Sequence, residues 1–172
     1  MGTESVKLGV CTVTYDSVDL GLTKGGVEVE VATETYEVMV DQFGNSPINE
    51  YVTARTVTVR VPLAESTLEN LQKIMPGTTL VTSGTIPNLK KRADVKNGIG
   101  LNMLDYAEKL VLHPKALPTT DKSEDFIVPL AAPSASISYA YKLDEERIFN
   151  VEFKGYPNTS TGLLFQIGDE TA

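Results

Sequence analysis

The 172-residue sequence predicts a single mainly β domain over residues 1–172, an antiparallel β-sandwich or barrel-like fold with one flanking α-helix at about residues 66–75 and long loops reaching other subunits. Short runs that alternate apolar and polar side chains, rich in Val and Thr, indicate strands. Clusters of Gly, Asn, Asp and Pro separate these runs and indicate turns. Only one stretch combines a helix-capping signal with apolar residues at helical spacing.

The first strands are predicted from alternation. Residues 6–15 alternate and carry β-branched side chains, which indicates a strand. Residues 27–31 alternate Val and Glu strictly, so their valines and glutamates lie on opposite faces. The pattern resumes over residues 36–40. We expect these two runs to pair with each other as a hairpin.

A turn and a long strand follow. Residues 41–47 are dense in turn formers and should leave the sheet. Residues 51–61 then form one long strand, about 36 Å if fully extended. The valines near its end share one face, whereas Val52 and Ala54 lie on the other. This change of face predicts a β-bulge, a strong twist or a change of neighbouring strand.

One helix is predicted. Residues 66–69 read Ser-Thr-Leu-Glu, the capping-box spacing in which Glu69 reaches back to the amide of the cap residue. Leu68, Leu71 and Met75 then share one helical face, and a Pro-Gly pair ends the helix.

The second half of the chain gives weaker patterns. Residues 78–82 favour a strand, whereas residues 84–100 are irregular and contain a basic run. The remaining expected elements are a strand at 107–112 closed by His113-Pro114, a polar loop at 115–124, a strand at 126–130 with a turn at 131–133, a closing hairpin of 135–142 and 146–155, and a short strand at 163–167.

Composition argues against several functions. The formal net charge of −8 and the pI near 4.7 argue against a general phosphate-binding surface, which requires clustered Lys and Arg. Cys11 is the single cysteine, so no internal disulfide is possible. We expect no signal peptide and no association with a membrane, because no apolar run is long enough.

No motif indicates catalysis. His113 is the single histidine, and neither a nucleophile-elbow nor a cysteine-protease signature accompanies it. One cysteine and one histidine cannot form a structural zinc site, and Asp16, Asp19 and Asp41 lack EF-hand spacing. We therefore expect no catalytic residue, no metal and no cofactor.

Five stretches, in their order and spacing, resemble the major tail tube proteins of long-tailed bacteriophages. They are Leu-Gly-Leu-Thr-Lys-Gly-Gly-Val at 20–27, Asp-Gln-Phe-Gly at 41–44, Pro-Leu-Ala-Glu-Ser-Thr-Leu-Glu at 62–69, Ala-Glu-Lys-Leu-Val-Leu-His-Pro at 107–114 and Phe-Asn-Val-Glu-Phe at 149–153. The likeness covers most of the chain. It extends to the wider superfamily that includes the tubes of contractile tails and of type VI secretion.

The resemblance implies a structural protein of the virion tail, assembled in the host cytoplasm as hexameric rings that stack into a hollow tube. The partners it implies are further copies of the chain, the tape-measure protein, and the tail terminator and tip proteins. Viral DNA would pass through the tube during ejection without specific binding, and no catalytic residue is implied.

Candidate positions follow for this assembly. Glu28 and Glu30 are candidates for the lumen, because alternation sets them opposite the valines and acidic walls repel phosphates. We expect the strands at 27–40 and 51–61 to join neighbouring copies and close their exposed edges. The loops at 43–49 and 84–100 would reach adjacent subunits or rings. The candidate contact residues in and beside these loops are Asp41, Phe43, Asn45, Lys90, Lys91, Arg92 and Lys96.

Two other classes of function compete with this interpretation. One is a monomeric β-sandwich binding module, for carbohydrate, which the absence of Trp and the low aromatic content disfavour. The other is a hydrolase that uses His113, since catalytic triads are assembled in space rather than in sequence.

Overall fold

The computed structural model describes residues 9–138 and 140–172. The described residues form ten strands and one α-helix, joined by loops with short 3-10 turns at Asp41–Phe43 and Met103–Tyr106. The elements are β1 (Cys11–Tyr15), β2 (Val18–Asp19), β3 (Glu28–Met39), β4 (Pro47–Leu63), α1 (Leu68–Ile74), β5 (Thr78–Ser83), β6 (Lys90–Val95), β7 (Glu108–Pro114), β8 (Phe126–Ile137), β9 (Phe149–Gly155) and β10 (Gln166–Ile167).

Eight of these strands form one antiparallel sheet. Its order is β2-β1-β7-β8-β9-β4-β3, and β10 pairs with the start of β8. The strands β5 and β6 form a separate hairpin. The predicted mainly β antiparallel class with one short helix is confirmed, and the sheet is not closed into a barrel.

The sheet curves around a single core cluster. The rings of Tyr15 on β1 and Phe153 on β9 lie 4.9 Å apart between centroids, although β7 and β8 separate these strands in the sheet. Burial raises the pKa of Tyr15, whose hydroxyl lies 2.7 Å from the carbonyl oxygen of Tyr106. The inner faces of β1 and β9 therefore pack against each other.

The segment of residues 20–24 crosses between β1 and β4. The N–H of Leu20 donates to the carbonyl oxygen of Val13 (2.9 Å), and the N–H of Ala64 donates to that of Leu22 (2.8 Å). Thr23 forms an isolated bridge with Leu63. Residues 20–24 thereby hold the two parts of the sheet together without a full ladder.

The helix is fastened to this segment by a buried amide. Asn70 is 8% exposed, and its Nδ2 donates to the carbonyl oxygens of Leu20 (2.9 Å) and Glu65 (3.1 Å). Thr67, not Ser66, is the cap residue, and its hydroxyl accepts from the N–H of Asn70. The predicted capping box is therefore wrong by one residue.

The buried face of α1 also differs from the predicted one. Asn70 and Ile74 are its buried residues, whereas Leu68 and Met75 are half-buried. Apolar spacing alone predicted that Leu68 and Met75 are buried. The centre of the buried face is instead occupied by the polar Asn70, whose side chain has two carbonyl partners.

The predicted hairpin of residues 27–31 and 36–40 is wrong. Both runs belong to the continuous strand β3, which pairs along its whole length with β4. The intervening Thr-Glu-Thr stays extended, as β-branched residues favour. Of the three predicted explanations for the long strand, the bulge is present: Glu34 pairs with Ala54 and Thr35 with Val52, which leaves Thr53 as the extra residue. The bulge places Val52 and Ala54 on opposite faces, so the prediction that they share one face is wrong.

The predicted turn at residues 131–133 is also wrong. The strand β8 continues through Pro133 to Ile137 and pairs there with β9. Its ladder with β7 ends at Ala131, so Pro133 lies where β8 has a neighbour on only one side, and proline is tolerated at such positions.

The remaining expectations for strands largely hold. Residues 78–82 fall within β5, residues 107–112 overlap β7, and the closing hairpin pairs β8 with β9. The strand β7 runs on through His113 and Pro114, which pair with β1 rather than closing the strand. Residues 6–8 of the first predicted strand, and Tyr139, lie outside the described residues.

Gly155 tests the packing between the end of β9 and the core. A Cβ there would lie 2.2 Å from Cγ1 of Val57 and 3.0 Å from Cγ1 of Val128. We expect Gly155→Ala to lower the free energy of unfolding by about 1–3 kcal/mol, because the core is already filled. Urea unfolding measures this change.

The double variant Gly155→Ala/Val57→Ala supplies the control. Removing the Cγ atoms of Val57 makes room for the new methyl group, so the double variant should be less destabilised than the sum of the two single variants. Additive losses would contradict the proposed steric contact.

Candidate assembly surfaces

The distal part of β3 and β4 projects from the sheet as a two-stranded ribbon. We define the ribbon as residues 33–55, comprising the end of β3, the connecting turn and the start of β4. None of its residues is buried, and only Val38, Val40 and Ala54 are half-buried. The ribbon therefore contributes almost nothing to the core of the monomer.

Both long edges of the ribbon lack a neighbouring strand within the described residues. The strand β3 pairs only with β4. The strand β4 pairs with β9 only from Thr58 to Leu63, so residues 47–57 have no neighbour on that side. Each edge presents a row of backbone N–H and C=O groups, which is the usual template for pairing with another chain.

Apolar side chains are exposed along the ribbon. Tyr36 and Tyr51 face each other across the two strands and are 64% and 59% exposed. Met39, Ile48 and Val52 are also exposed. Such a series of large apolar side chains on a projecting element indicates a contact surface.

The ribbon ends in the predicted turn. Asp41 and Phe43 form a 3-10 turn in which the N–H of Phe43 donates to the carbonyl oxygen of Val40 (3.0 Å). The ring of Phe43 is 65% exposed, and Asp41 and Asn45 are exposed beside it. The structure thus brings these three candidate residues together at one tip, which joins two paired strands.

Glu28 and Glu30 lie on the sheet face opposite the core, as alternation predicted. Their neighbours Val29 and Val31 pair with the buried Val59 and Val57. Both glutamates are exposed. Their placement facing a lumen stays a prediction.

The sequence reasoning missed the cation between these carboxylates. The guanidinium of Arg60 lies 3.0 Å from Glu30, 3.4 Å from Glu152 and 3.9 Å from Glu28. The hydrogen bond with Glu30, above all, raises the pKa of Arg60. Arg60 alternates with the buried valines of β4, so its face was predictable, but the pairing with Glu28 required the register of β3 on β4.

The basic residues of the 84–100 region do not lie in an irregular loop. Lys90, Lys91 and Arg92 lie in β6, which pairs with β5, and Lys96 follows that strand. The prediction of an irregular segment was wrong because a strand dominated by exposed charges shows no apolar alternation. Lys91 pairs with Glu69 on α1.

Part of the positive charge of this hairpin is therefore neutralised within the chain. The guanidinium of Arg92 contacts the carboxylate of Asp94 at 3.0 Å. Lys90 and Lys96 take part in no ion pair among residues 9–138 and 140–172. Ile86, in the turn between β5 and β6, is 86% exposed. Lys90 lies at that end of the hairpin, where it pairs with Ser83, whereas Lys96 lies at the opposite end, after Val95.

His113 is held by a buried carboxylate. Its Nδ1 lies 2.6 Å from Oδ1 of Asp125, which is 4% exposed, and its Nε2 lies 3.4 Å from the carbonyl oxygen of Leu117. Both ring nitrogens therefore face acceptors of the loop between β7 and β8. This arrangement fastens the loop to the sheet, and a hydrolase that uses His113 stays a prediction.

No group of three or more His, Cys, Asp or Glu side chains in the described part of the chain is placed to hold a metal ion. No helix there is long and apolar enough to cross a membrane. Burial raises the pKa of the Cys11 thiol, which favours its protonated form.

No protein-family model matches the chain, and no curated protein matches it.

The contact between His113 and Asp125 allows a direct test of its structural role. We expect His113→Leu to lower the free energy of unfolding by about 3 kcal/mol, because it leaves a buried carboxylate without its partner. Urea unfolding measures the loss. The double variant His113→Leu/Asp125→Leu should be less destabilised than the sum of His113→Leu and Asp125→Leu; additive losses would show that the two side chains are not coupled.

Proposed function

We propose that this chain is a structural subunit that assembles into closed rings, and that the rings stack into the tube of a phage tail. The observation that supports this function is the ribbon with two unpaired edges. A two-stranded ribbon is only marginally stable in water by itself. A neighbouring copy on each edge would complete its hydrogen bonding and cover its exposed tyrosines.

Ring closure follows from the geometry of such edges. The edge of β3 and the edge of β4 are different surfaces, so pairing between copies is head-to-tail rather than two-fold symmetric. Head-to-tail contacts produce either a ring or an open filament, depending on whether the rotation closes. The resemblance to tail tube proteins favours rings, and contractile or type VI tubes would use the same contacts.

The charged outer face of the sheet would line the channel. Among the strands β3, β4 and β9, this face carries the carboxylates of Glu28, Glu30 and Glu152 around Arg60. In the proposed tube these acids repel the phosphates of passing DNA, so that the genome slides without sticking. Arg60 holds the carboxylates in place and lowers their net charge.

The β5–β6 hairpin would make the contact between rings. The hairpin packs against α1, where Lys91 pairs with Glu69. The end that carries the turn between β5 and β6 holds Lys90 and the exposed Ile86, and in the proposed stack these two residues would contact the next ring. Lys96 lies at the other end of the hairpin, after Val95.

Two variants separate ring formation from stacking. In the first, residues 34–54 are replaced by Asn-Gly, a turn that suits the flanking pair of Thr33 and Arg55. We expect a folded monomer of nearly unchanged stability, because the deleted residues are not buried, and a complete loss of rings. In the second, Lys90→Glu, we expect rings that do not stack into tubes.

Negative-stain electron microscopy and sizing chromatography of the wild type and both variants measure these outcomes. Thermal unfolding of each variant shows that it remains folded. Rings or tubes from the ribbon deletion would refute the proposed role of the edges. A wild type that stays monomeric at high concentration would refute the proposed assembly as a whole.

A further inference from the structure

The ribbon carries two like charges in direct opposition. Glu37 on β3 pairs in register with Glu50 on β4, so their side chains share one face of the ribbon. Both residues are exposed. Like charges directly opposite each other on a sheet are destabilising. Nothing in the fold of the monomer requires this pair, because neither residue contacts the core.

A guanidinium without a carboxylate lies on the same face. Arg55 pairs in register with Thr33, and its Nε donates to the hydroxyl of Thr33 at 3.3 Å. Thr33 and Glu37 are four positions apart along β3, which places both on one face. Within the part of the chain that the structure describes, Arg55, Glu37 and Glu50 form no ion pair.

These charges do not meet within one copy. The pair of Arg55 and Thr33 lies four positions along β3 from the pair of Glu37 and Glu50. Four positions of an extended strand correspond to about 13 Å. Arg55 donates to Thr33 instead, so the guanidinium and the acid pair are available to a second copy.

We propose that Arg55 of one copy binds between Glu37 and Glu50 of the adjacent copy in the ring. Strands that close into a ring are tilted, and the tilt requires each copy to be staggered along the strands relative to the next. A stagger of about four residues sets the guanidinium of one ribbon beside the carboxylate pair of its neighbour. The ion contact therefore fixes the register between copies.

This assignment rests on the proposed function, since it concerns the same edges of the ribbon. The assignment names the partner in the contact, which is a second copy of this chain, and the register between the two copies. Each copy supplies the acid pair to one neighbour and Arg55 to the other. In an isolated copy the two glutamates repel each other. Assembly relieves this repulsion, so complementary charges set which edges meet and in which register.

Complementary charge variants test the contact. Variant A is Arg55→Glu, and variant B is Glu37→Lys/Glu50→Lys. In each variant alone the proposed contact becomes repulsive, and we expect the protein concentration required for assembly to rise about tenfold or more. In an equimolar mixture every A–B contact is complementary, so we expect assembly to return in particles that contain both variants.

Glu34→Lys serves as the control, because it makes a similar change on the opposite face of the ribbon, where Glu34 pairs with Ala54. It should assemble near the wild-type concentration. Circular dichroism and urea unfolding show that each variant is folded, and native mass spectrometry of the mixture reports the composition of the particles.

The outcomes separate the two proposals. Wild-type rings together with normal assembly of variant A, or a mixture of folded A and B that fails to assemble, would overturn the contact while leaving the proposed function intact. Absence of rings from the wild type itself would overturn the proposed function instead.

Discussion

The unpaired backbone edges of the ribbon are the constraint on which this account of the molecule depends. Along residues 33–55, β3 and β4 have each other as neighbours and no further strand among the described residues. Every second residue on each outer edge therefore presents its N–H and C=O groups to water. Natural sheets usually cover, shorten or charge such edges. Here the edges are long and carry exposed Tyr36 and Tyr51, a combination that fits a surface kept for pairing with copies of the same chain.

The rest of the fold is stabilised by contacts that do not involve the ribbon. Buried valines of β4, together with Leu110, Phe149 and Phe153, form one core beneath the curved sheet. Asn70 and residues 20–24 tie the helix and the two ends of the sheet to that core. The ribbon shares none of these contacts, so the fold of the monomer does not depend on it. Within the described residues, no group of three or more His, Cys, Asp or Glu side chains is placed to hold a metal ion.

Much of the sheet was predictable, because side chains alternate with a period of two. Alternation gave the β class, the face of Glu28 and Glu30, and the buried face of β9, and it gave a bulge as one of three explanations for the long strand. Prediction from alternation failed where the local sequence and the tertiary context disagree. Pro133 suggested a turn but lies where β8 has one neighbour, and charged β6 lacks an apolar face. Exposed edges were expected on the strands at 27–40 and 51–61, but the extent of the ribbon depends on which residues lack a neighbouring strand. The opposition of Glu37 and Glu50 also required the register after the bulge.

The most direct measurement of the central claim is amide hydrogen exchange of the ribbon before and after assembly. In the dissociated protein, the amides of β3 and of residues 47–57 that face away from each other should exchange rapidly, because they have no acceptor. In the assembled protein, the same amides should become protected, while those of the core strands change little. Assembled particles in which these outer-edge amides still exchange rapidly would contradict pairing of the ribbon edges between copies.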